Sequence, residues 1–183
     1  MGKPLRYLLL ALLSGTIIVI DQATKLSIMQ AMHLNESIPV VPNLFSLTYI
    51  RNPGAAFGLL AGSSDAFRMV FFGVTSLFAL ALLGTILFRL PQKDWKGQLS
   101  IAGILGGAIG NLIDRLRYGE VIDFLDVYVE SYHWPAFNVA DSAISGNPPV
   151  PAEFVVCRNA SSATSRNADE AISARQRKLR PGR

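Results

Sequence analysis

Twenty consecutive uncharged residues, MVFFGVTSLFALALLGTILF, occupy positions 69–88 between Arg68 and Arg89. A helix rises about 1.5 Å per residue, so a segment of this length crosses the roughly 30 Å hydrocarbon core of a bilayer. The segment therefore predicts a membrane-spanning helix and an integral membrane protein. The composition agrees, because 50% of the 183 residues are hydrophobic, 16% are charged and the mean hydropathy is +0.33.

Two further apolar segments predict membrane helices at residues 7–20 and 97–113. The first segment is short for a crossing, and a secretory signal peptide with Lys3 and Arg6 as its basic start is the alternative. Because no small-residue cleavage site follows it, we predict a retained helix. These segments make the chain an all-α membrane bundle with three clear helices.

The third segment contains two overlapping G-x-x-x-G pairs, Gly103/Gly107 and Gly106/Gly110. Glycines at this spacing allow helix backbones to approach closely in lipid, where packing drives association. A phosphate-binding glycine loop is the alternative, but it needs a preceding strand that the sequence does not indicate. We therefore predict a helix-packing face.

Lysine and arginine are concentrated before the first segment and in the short loop between the second and third. Such segments usually remain cytoplasmic, which places residues 26–67 and 115–137 on the outer side. Four arginines also lie on that side: Arg51, Arg68, Arg115 and Arg117. Prolines and β-forming residues at positions 37–50 predict short strands on the membrane surface.

The C-terminal segment differs in composition. Residues 1–149 carry 10 Lys/Arg and 10 Asp/Glu, whereas residues 150–183 carry 7 and 3, so the net charge of +4 arises in the tail and does not predict a nucleic-acid partner. Its prolines cannot continue a helix, and we predict that residues 145–183 are polar and disordered. The single cysteine, Cys157, excludes an intramolecular disulfide and a multi-cysteine metal site.

Aspartates at or near the outer ends of the spans are the candidate chemical groups. An ionised group at the centre of a membrane helix costs about 2.5–3.5 kcal/mol, so such residues indicate either solvated helix ends or a function. Two carboxylates that share one proton supply both the base and the acid that peptide hydrolysis needs. The five aspartates are Asp21, Asp114, Asp123, Asp126 and Asp141.

Five motifs occur in one order: DQATK at 21–25, RNPGAAF at 51–57, GNLIDR at 110–115, VIDF at 121–124 and FNVADSA at 137–143. Over roughly residues 5–144 the chain thereby resembles lipoprotein signal peptidase, also called signal peptidase II. The resemblance implies four transmembrane helices with a small periplasmic β-cradle, in the bacterial cytoplasmic (inner) membrane, with the active site at the outer surface. It also implies an aspartic endopeptidase that uses no metal or other cofactor and cuts prolipoproteins before a diacylglyceryl-modified cysteine.

The resemblance assigns roles to individual residues. Asp123 and Asp141 match the catalytic pair. Four residues match positions that line and support the site: Asn52, Asn111, Arg115 and Asn138. Three more match positions important for activity or stability: Asp21, Lys25 and Asp114. Its implied partners are a lipid-modified prolipoprotein and membrane lipids, and we expect a monomer.

The residues themselves add details to this assignment. Asp21 and Lys25 are four apart in the order that favours an ion pair on a helix. Asp141 lies near a predicted helix start after Asn138, which favours its charged form, so Asp123 would hold the shared proton. Gly54, together with Gly58, would permit unusual backbone angles where the strands cradle the substrate.

Residues 1–144 are the predicted membrane peptidase domain. The residues that follow, 145–183, do not have the composition that the family resemblance implies. A fourth apolar span is missing, and we hypothesise a reading-frame change near Ile144. Three alternatives stay open: an inactive family member, a transporter component with aspartates on an ion path, and a scaffold protein bound through its glycine-rich helix.

Overall fold

The computed structural model describes residues 2–54 and 62–146, which contain four helices and four strands. The predicted tail, including Cys157, lies outside the described residues apart from positions 145 and 146, and so does Gly58. The elements in chain order are α1 (Lys3–Ala31), β1 (Ser37–Val41), β2 (Phe45–Asn52), α2 (Asp65–Arg89), α3 (Trp95–Tyr118), β3 (Val121–Val129), β4 (Tyr132–His133) and α4 (Val139–Ser145).

Three helices of the described residues are long and apolar enough to cross a membrane, within Pro4–Ala31, Ala66–Arg89 and Trp95–Tyr118. The fold is therefore a membrane bundle with a small sheet. The described part of α4 has seven residues. α1 carries Asp21 and Lys25, as predicted, and their charges are paired inside the protein. The helix is longer than expected, because it continues beyond these two residues to Ala31.

Local sequence signals mark the helix boundaries. α2 begins after Ser64, whose hydroxyl oxygen accepts a hydrogen bond from the backbone N–H of Phe67 at 3.3 Å. α3 begins after Asp94, whose side chain caps it in the same way. Such caps satisfy N–H groups that have no partner within the helix. α3 ends at Tyr118, and Gly119, whose φ is 75°, caps the helix and turns the chain toward β3.

The strands form one antiparallel sheet in the order β1-β2-β3-β4. The strands predicted at 37–50 are confirmed as β1 and β2. β3 was not predicted, although its sequence VIDFLDVYV is almost continuously β-forming. The sheet is anchored to the end of α1 by a small core of Met32, Tyr49 and Ile122.

The glycine-rich face of α3 packs against α1 and α4, as predicted from the G-x-x-x-G pairs. A Cβ added at Gly106 would lie 2.9 Å from the Ser14 carbonyl oxygen of α1. One added at Gly107 would overlap the Ala140 carbonyl oxygen of α4. Only glycine allows these approaches, and they bring the start of α4 beside α1 and α3.

Candidate active site

A buried lysine joins two helices at the centre of the site. The Lys25 ammonium lies 2.9 Å from Asp21 Oδ2 and 2.7 Å from Asp114 Oδ2, and it donates to Asn111 Oδ1 at 3.0 Å. The predicted Asp21–Lys25 pair is confirmed, and Asp114 of α3 joins it. Both aspartates are 0% exposed and Lys25 is 1% exposed, so the interpretation as solvated helix ends is wrong for them.

The same two carboxylates hold the starts of other elements. Asp21 Oδ1 accepts from the backbone N–H of Ala140 in α4 at 2.9 Å. Asp114 Oδ2 accepts from the backbone N–H of Ile122 in β3 at 3.2 Å. Gln22 Nε2 donates to Asp114 Oδ1 at 2.8 Å. Sequence reasoning missed Gln22, although it lies inside the first motif, because only the folded chain brings it to α3.

Asp123 lies on β3, immediately after Ile122, and is 3% exposed. Its Oδ2 accepts from Asn52 Nδ2 at 3.1 Å, and its Oδ1 accepts from Asn138 Nδ2 at 2.8 Å. Asn52 comes from the end of the neighbouring strand β2. The carboxyl group is therefore held from both sides by amides.

Asp141 is the third residue of α4 and forms a capping box with Asn138. The Asp141 backbone N–H donates to Asn138 Oδ1 at 2.9 Å, and Asp141 Oδ2 accepts from the Asn138 backbone N–H at 3.2 Å. This reciprocal pair fixes the start of the helix, at the position predicted from the sequence. Asn111 Nδ2 donates to the other oxygen, Asp141 Oδ1, at 2.8 Å.

Asn138 is the residue that contacts both Asp123 and Asp141. Its Nδ2 also lies 3.1 Å from Asn111 Oδ1 and 3.2 Å from the Ile122 carbonyl oxygen. Two amide hydrogens serve three acceptors, so one hydrogen is shared. Asn138 is 0% exposed. The two aspartates, which are 18 positions apart in sequence, therefore belong to one hydrogen-bonded cluster that ends on Lys25 through Asn111.

Burial raises the pKa of both carboxyl groups. The pKa of Asp123 rises to about 7, first because burial disfavours its charged form and second because Asp141 lies nearby; hydrogen bonds from Asn52 and Asn138 oppose the rise. Burial also raises the pKa of Asp141, against the hydrogen bond from Asn111. Since the two groups interact, their protons titrate as a pair.

Two further predicted residues lie around this cluster. Arg115 follows Asn111 by one helical turn; its Nη1 lies 3.4 Å from the Asn111 carbonyl oxygen and its guanidinium lies 5.1 Å from the Phe72 ring centroid. Gly54 donates its backbone N–H to Asn52 Oδ1 at 3.1 Å. The unusual backbone angles predicted at Gly54 and Gly58 stay a prediction, because Gly58 and the residue after Gly54 lie outside the described residues.

Two other titratable groups of the sheet, Asp126 and His133, are paired with each other. His133 Nδ1 lies 2.9 Å from Asp126 Oδ2, and the His133 ring stacks on Tyr128. Asp126, although it is three residues from Asp123, has no contact with the cluster. Among residues 2–54 and 62–146, no group of three or more His, Cys, Asp or Glu side chains is placed to hold a metal ion.

Comparison with known proteins identifies the family. The family described as signal peptidase (SPase) II matches residues 13–147. The chain belongs to the signal peptidase II family. It is therefore a membrane protease, and the motifs that suggested the resemblance all lie within the matched residues.

Individual relatives of this signal peptidase II agree. The lipoprotein signal peptidase of Syntrophus aciditrophicus is 49% identical over 145 residues, covering 79% of this chain and 89% of that protein. The lipoprotein signal peptidase of Desulforapulum autotrophicum is 53% identical over 137 residues, covering 74% and 84%. A bacterial membrane enzyme solved by the in meso method at 1.9 Å resolution is 35% identical, with a TM-score of 0.65 over 73% of this chain and 83% of that chain.

Proposed function

We propose that this signal peptidase II removes the signal peptide from diacylglyceryl-modified bacterial prolipoproteins, cutting before the lipidated cysteine, with Asp123 and Asp141 as the catalytic pair. The supporting observation is that Asn138 hydrogen-bonds to both aspartates. The names of the relatives, lipoprotein signal peptidase, support the substrate class.

Hydrolysis of a peptide bond requires a base for the attacking water and an acid for the leaving nitrogen. In the proposed mechanism, ionised Asp141 takes a proton from water as its oxygen attacks the scissile carbonyl carbon. Protonated Asp123 then gives its proton to the departing nitrogen as the C–N bond breaks. One proton enters the pair and one leaves it, so the pair retains a single proton through the cycle.

The order of protonation is supported by the surroundings of each group. Asp141 lies in the first turn of α4, where the helix dipole favours an anion, and it accepts bonds from Asn111 and the Asn138 backbone. Asp123 lies in a strand without that dipole and is almost fully buried. The pKa of Asp123 near 7 is consistent with a proton held there under neutral conditions.

Asp21, Lys25 and Asp114 act as positioning residues in this proposal. Asp21 holds the start of α4, and Asp114 holds β3 one residue before Asp123. Lys25 forms an ion pair with each carboxylate in a buried setting, where an unpaired charge would be costly. Each catalytic aspartate is thereby fixed to the α1–α3 pair through the backbone of its own element.

The setting of the enzyme completes the proposal. We place it as a monomer in the bacterial cytoplasmic membrane with the pair at the outer surface, because lysine and arginine favour cytoplasmic ends for the first helix and the α2–α3 loop. Residues 1–144 form the peptidase domain in this proposal, and the family match at 13–147 supports that extent. The acyl chains of the substrate would remain in lipid beside the helices.

The test is cleavage of a synthetic diacylglyceryl-modified prolipoprotein peptide by the purified chain. Asp123→Asn and Asp141→Asn should each lower kcat by about 10³-fold or more, and the double variant should be little worse than either, because the two act as a unit. Asp126→Asn is the matched control, since this carboxylate lies on the same strand and pairs with His133. Full activity in either single catalytic variant would refute the proposal, and no cleavage by the wild-type chain would favour an inactive family member.

A further inference from the structure

Two buried side chains at the end of the bundle opposite the sheet lack hydrogen-bond partners. Arg6 of α1 is 6% exposed, and its Nε and Nη1 atoms are enclosed without an acceptor in the part of the chain that the structure describes. Gln98 of α3 is 1% exposed; its Nε2 donates to the Pro91 carbonyl oxygen at 2.7 Å, whereas its Oε1 is enclosed without a donor. Buried polar atoms are nearly always hydrogen-bonded, so these two groups indicate that a partner is missing.

The packing of α1 on α3 brings the two side chains to the same place. The helices run in parallel, because Ser14 Oγ donates to the Ala102 carbonyl oxygen at 2.7 Å and a second contact farther along keeps the same offset of 88 positions. This offset places Arg6 opposite Asp94, at the start of α3 and one turn before Gln98. Long side chains of a helix lean toward its N-terminus, so both polar groups extend toward the α2–α3 loop.

The described chain does not neutralise the Arg6 guanidinium. Arg6 forms no ion pair with any described residue. Asp94, the carboxylate that the offset places opposite it, is turned toward its own helix, where its Oδ1 accepts from the Gly97 backbone N–H at 3.0 Å. The Tyr7 ring, whose centroid lies 5.0 Å from the guanidinium carbon, attracts the cation but accepts only weak hydrogen bonds. An enclosed charge needs a counter-ion, and this one has to come from another molecule.

We propose that this end of the bundle binds an anionic phospholipid, whose phosphate accepts from Arg6 and whose headgroup hydroxyl donates to Gln98 Oε1. The third guanidinium nitrogen, Nη2, is not enclosed, so a phosphate oxygen reaches it first. Rotation of the unbranched side chain then presents a second N–H group, in the paired geometry that phosphate prefers. Leu5 and Leu9, which flank Arg6 on α1 and are 50% and 39% exposed, offer an apolar surface to the acyl chains.

The surroundings favour a lipid over a free phosphate ion. Arg6 and Gln98 belong to helices that are long and apolar enough to cross a membrane, so lipid surrounds this end of the bundle. A phospholipid carries its phosphate to the depth at which such helices begin, whereas a soluble ion has to leave water to reach an almost enclosed guanidinium. In the orientation proposed above this leaflet is the cytoplasmic one, whose anionic lipids attract basic residues near the membrane surface.

Native mass spectrometry of the full chain in detergent, with single lipids added, measures this binding without any cleavage. Phosphatidylglycerol should bind more tightly than diacylglycerol, which lacks the phosphate, and more tightly than glycerol 1-phosphate, which lacks the acyl chains. Arg6→Gln should weaken the binding of phosphatidylglycerol about tenfold, because a hydrogen bond between charged groups is lost. Arg89→Gln makes the same charge change at an exposed position on the same side of the membrane, and it should leave the binding unchanged.

Gln98→Met tests the contact with the headgroup hydroxyl. The wild-type chain should prefer phosphatidylglycerol over phosphatidylmethanol, which has the same phosphate charge but no hydroxyl, and Gln98→Met should lose that preference. A cooperative thermal unfolding transition is the check that each variant is folded, and the comparisons between lipids on the wild-type chain need no variant. The proposal is overturned if folded Arg6→Gln and Arg89→Gln bind phosphatidylglycerol equally, or if the wild-type chain binds diacylglycerol, glycerol 1-phosphate or phosphatidylmethanol as tightly as phosphatidylglycerol.

Discussion

Gly107 controls the position of Asp141 through the contact between α3 and α4. A Cβ at Gly107 would lie 2.9 Å from Ile144 Cγ1 and 3.1 Å from the Ala140 carbonyl carbon, and it would overlap the Ala140 oxygen. Carbon atoms in contact prefer a separation of about 3.5–4.0 Å, so Gly107→Ala must displace α4 by roughly 1 Å. Since α4 carries Asp141, this displacement should lower the cleavage rate by about 100-fold.

Gly103, one turn earlier on the same helix, gives a matched control. A Cβ there would lie 3.8 Å from the Ala143 oxygen and 3.9 Å from Ile17 Cδ1, which is ordinary contact. Gly103→Ala should therefore cleave the diacylglyceryl peptide at the wild-type rate. A cooperative thermal unfolding transition in detergent is the check that both variants are folded. Equal cleavage rates in two folded variants would refute the claim that the seating of α4 on α3 positions Asp141.

Three further outcomes follow from the same contacts. Lys25→Met leaves two buried carboxylates without their cation and should lower the free energy of unfolding by about 3–5 kcal/mol; an unchanged melting temperature would contradict the importance of that buried pair of ion contacts. Asn138→Ala removes the donor to Asp123 and the cap of α4, and kcat should fall by about 100-fold; a normal kcat in steady-state assays would exclude that role. The value of kcat/KM should decrease as pH rises through about 7, where Asp123 loses the proton needed by the leaving nitrogen; a flat profile across that range would argue against Asp123 as the acid.

The apolar pattern predicted some elements well and others poorly. A long uncharged run predicted α2, because few other structures accommodate such a sequence. Asp21 and Lys25 were predicted near the end of the first helix, yet α1 continues for ten residues beyond Asp21 to Ala31. The charges are tolerated because Asp114 and Asn111 of α3 pair with Lys25. Local periodicity contains no information about such distant partners.

The sequence likewise predicted some features of the candidate active site and missed others. The sequence indicated that Asp141 begins a helix after Asn138, since an asparagine followed by an aspartate at this spacing is a local capping signal. The strand that holds Asp123 was missed, because its two aspartates interrupt an otherwise β-forming stretch. That Asn138 contacts both aspartates depends on the pairing of β3 with the segment before α4, through Leu125 and Phe137, which only the folded chain reveals.

The coupling between Asp123 and Asp141 is the central claim, and a carboxyl titration tests it most directly. ¹³C NMR of aspartate labelled at the carboxyl carbon should show Asp123 titrating with a pKa near 7 in the wild-type protein. In Asp141→Asn that pKa should fall, because the charge that opposes ionisation of Asp123 is gone. An Asp123 pKa near 4, or one that Asp141→Asn leaves unchanged, would contradict a shared proton between the two carboxyl groups.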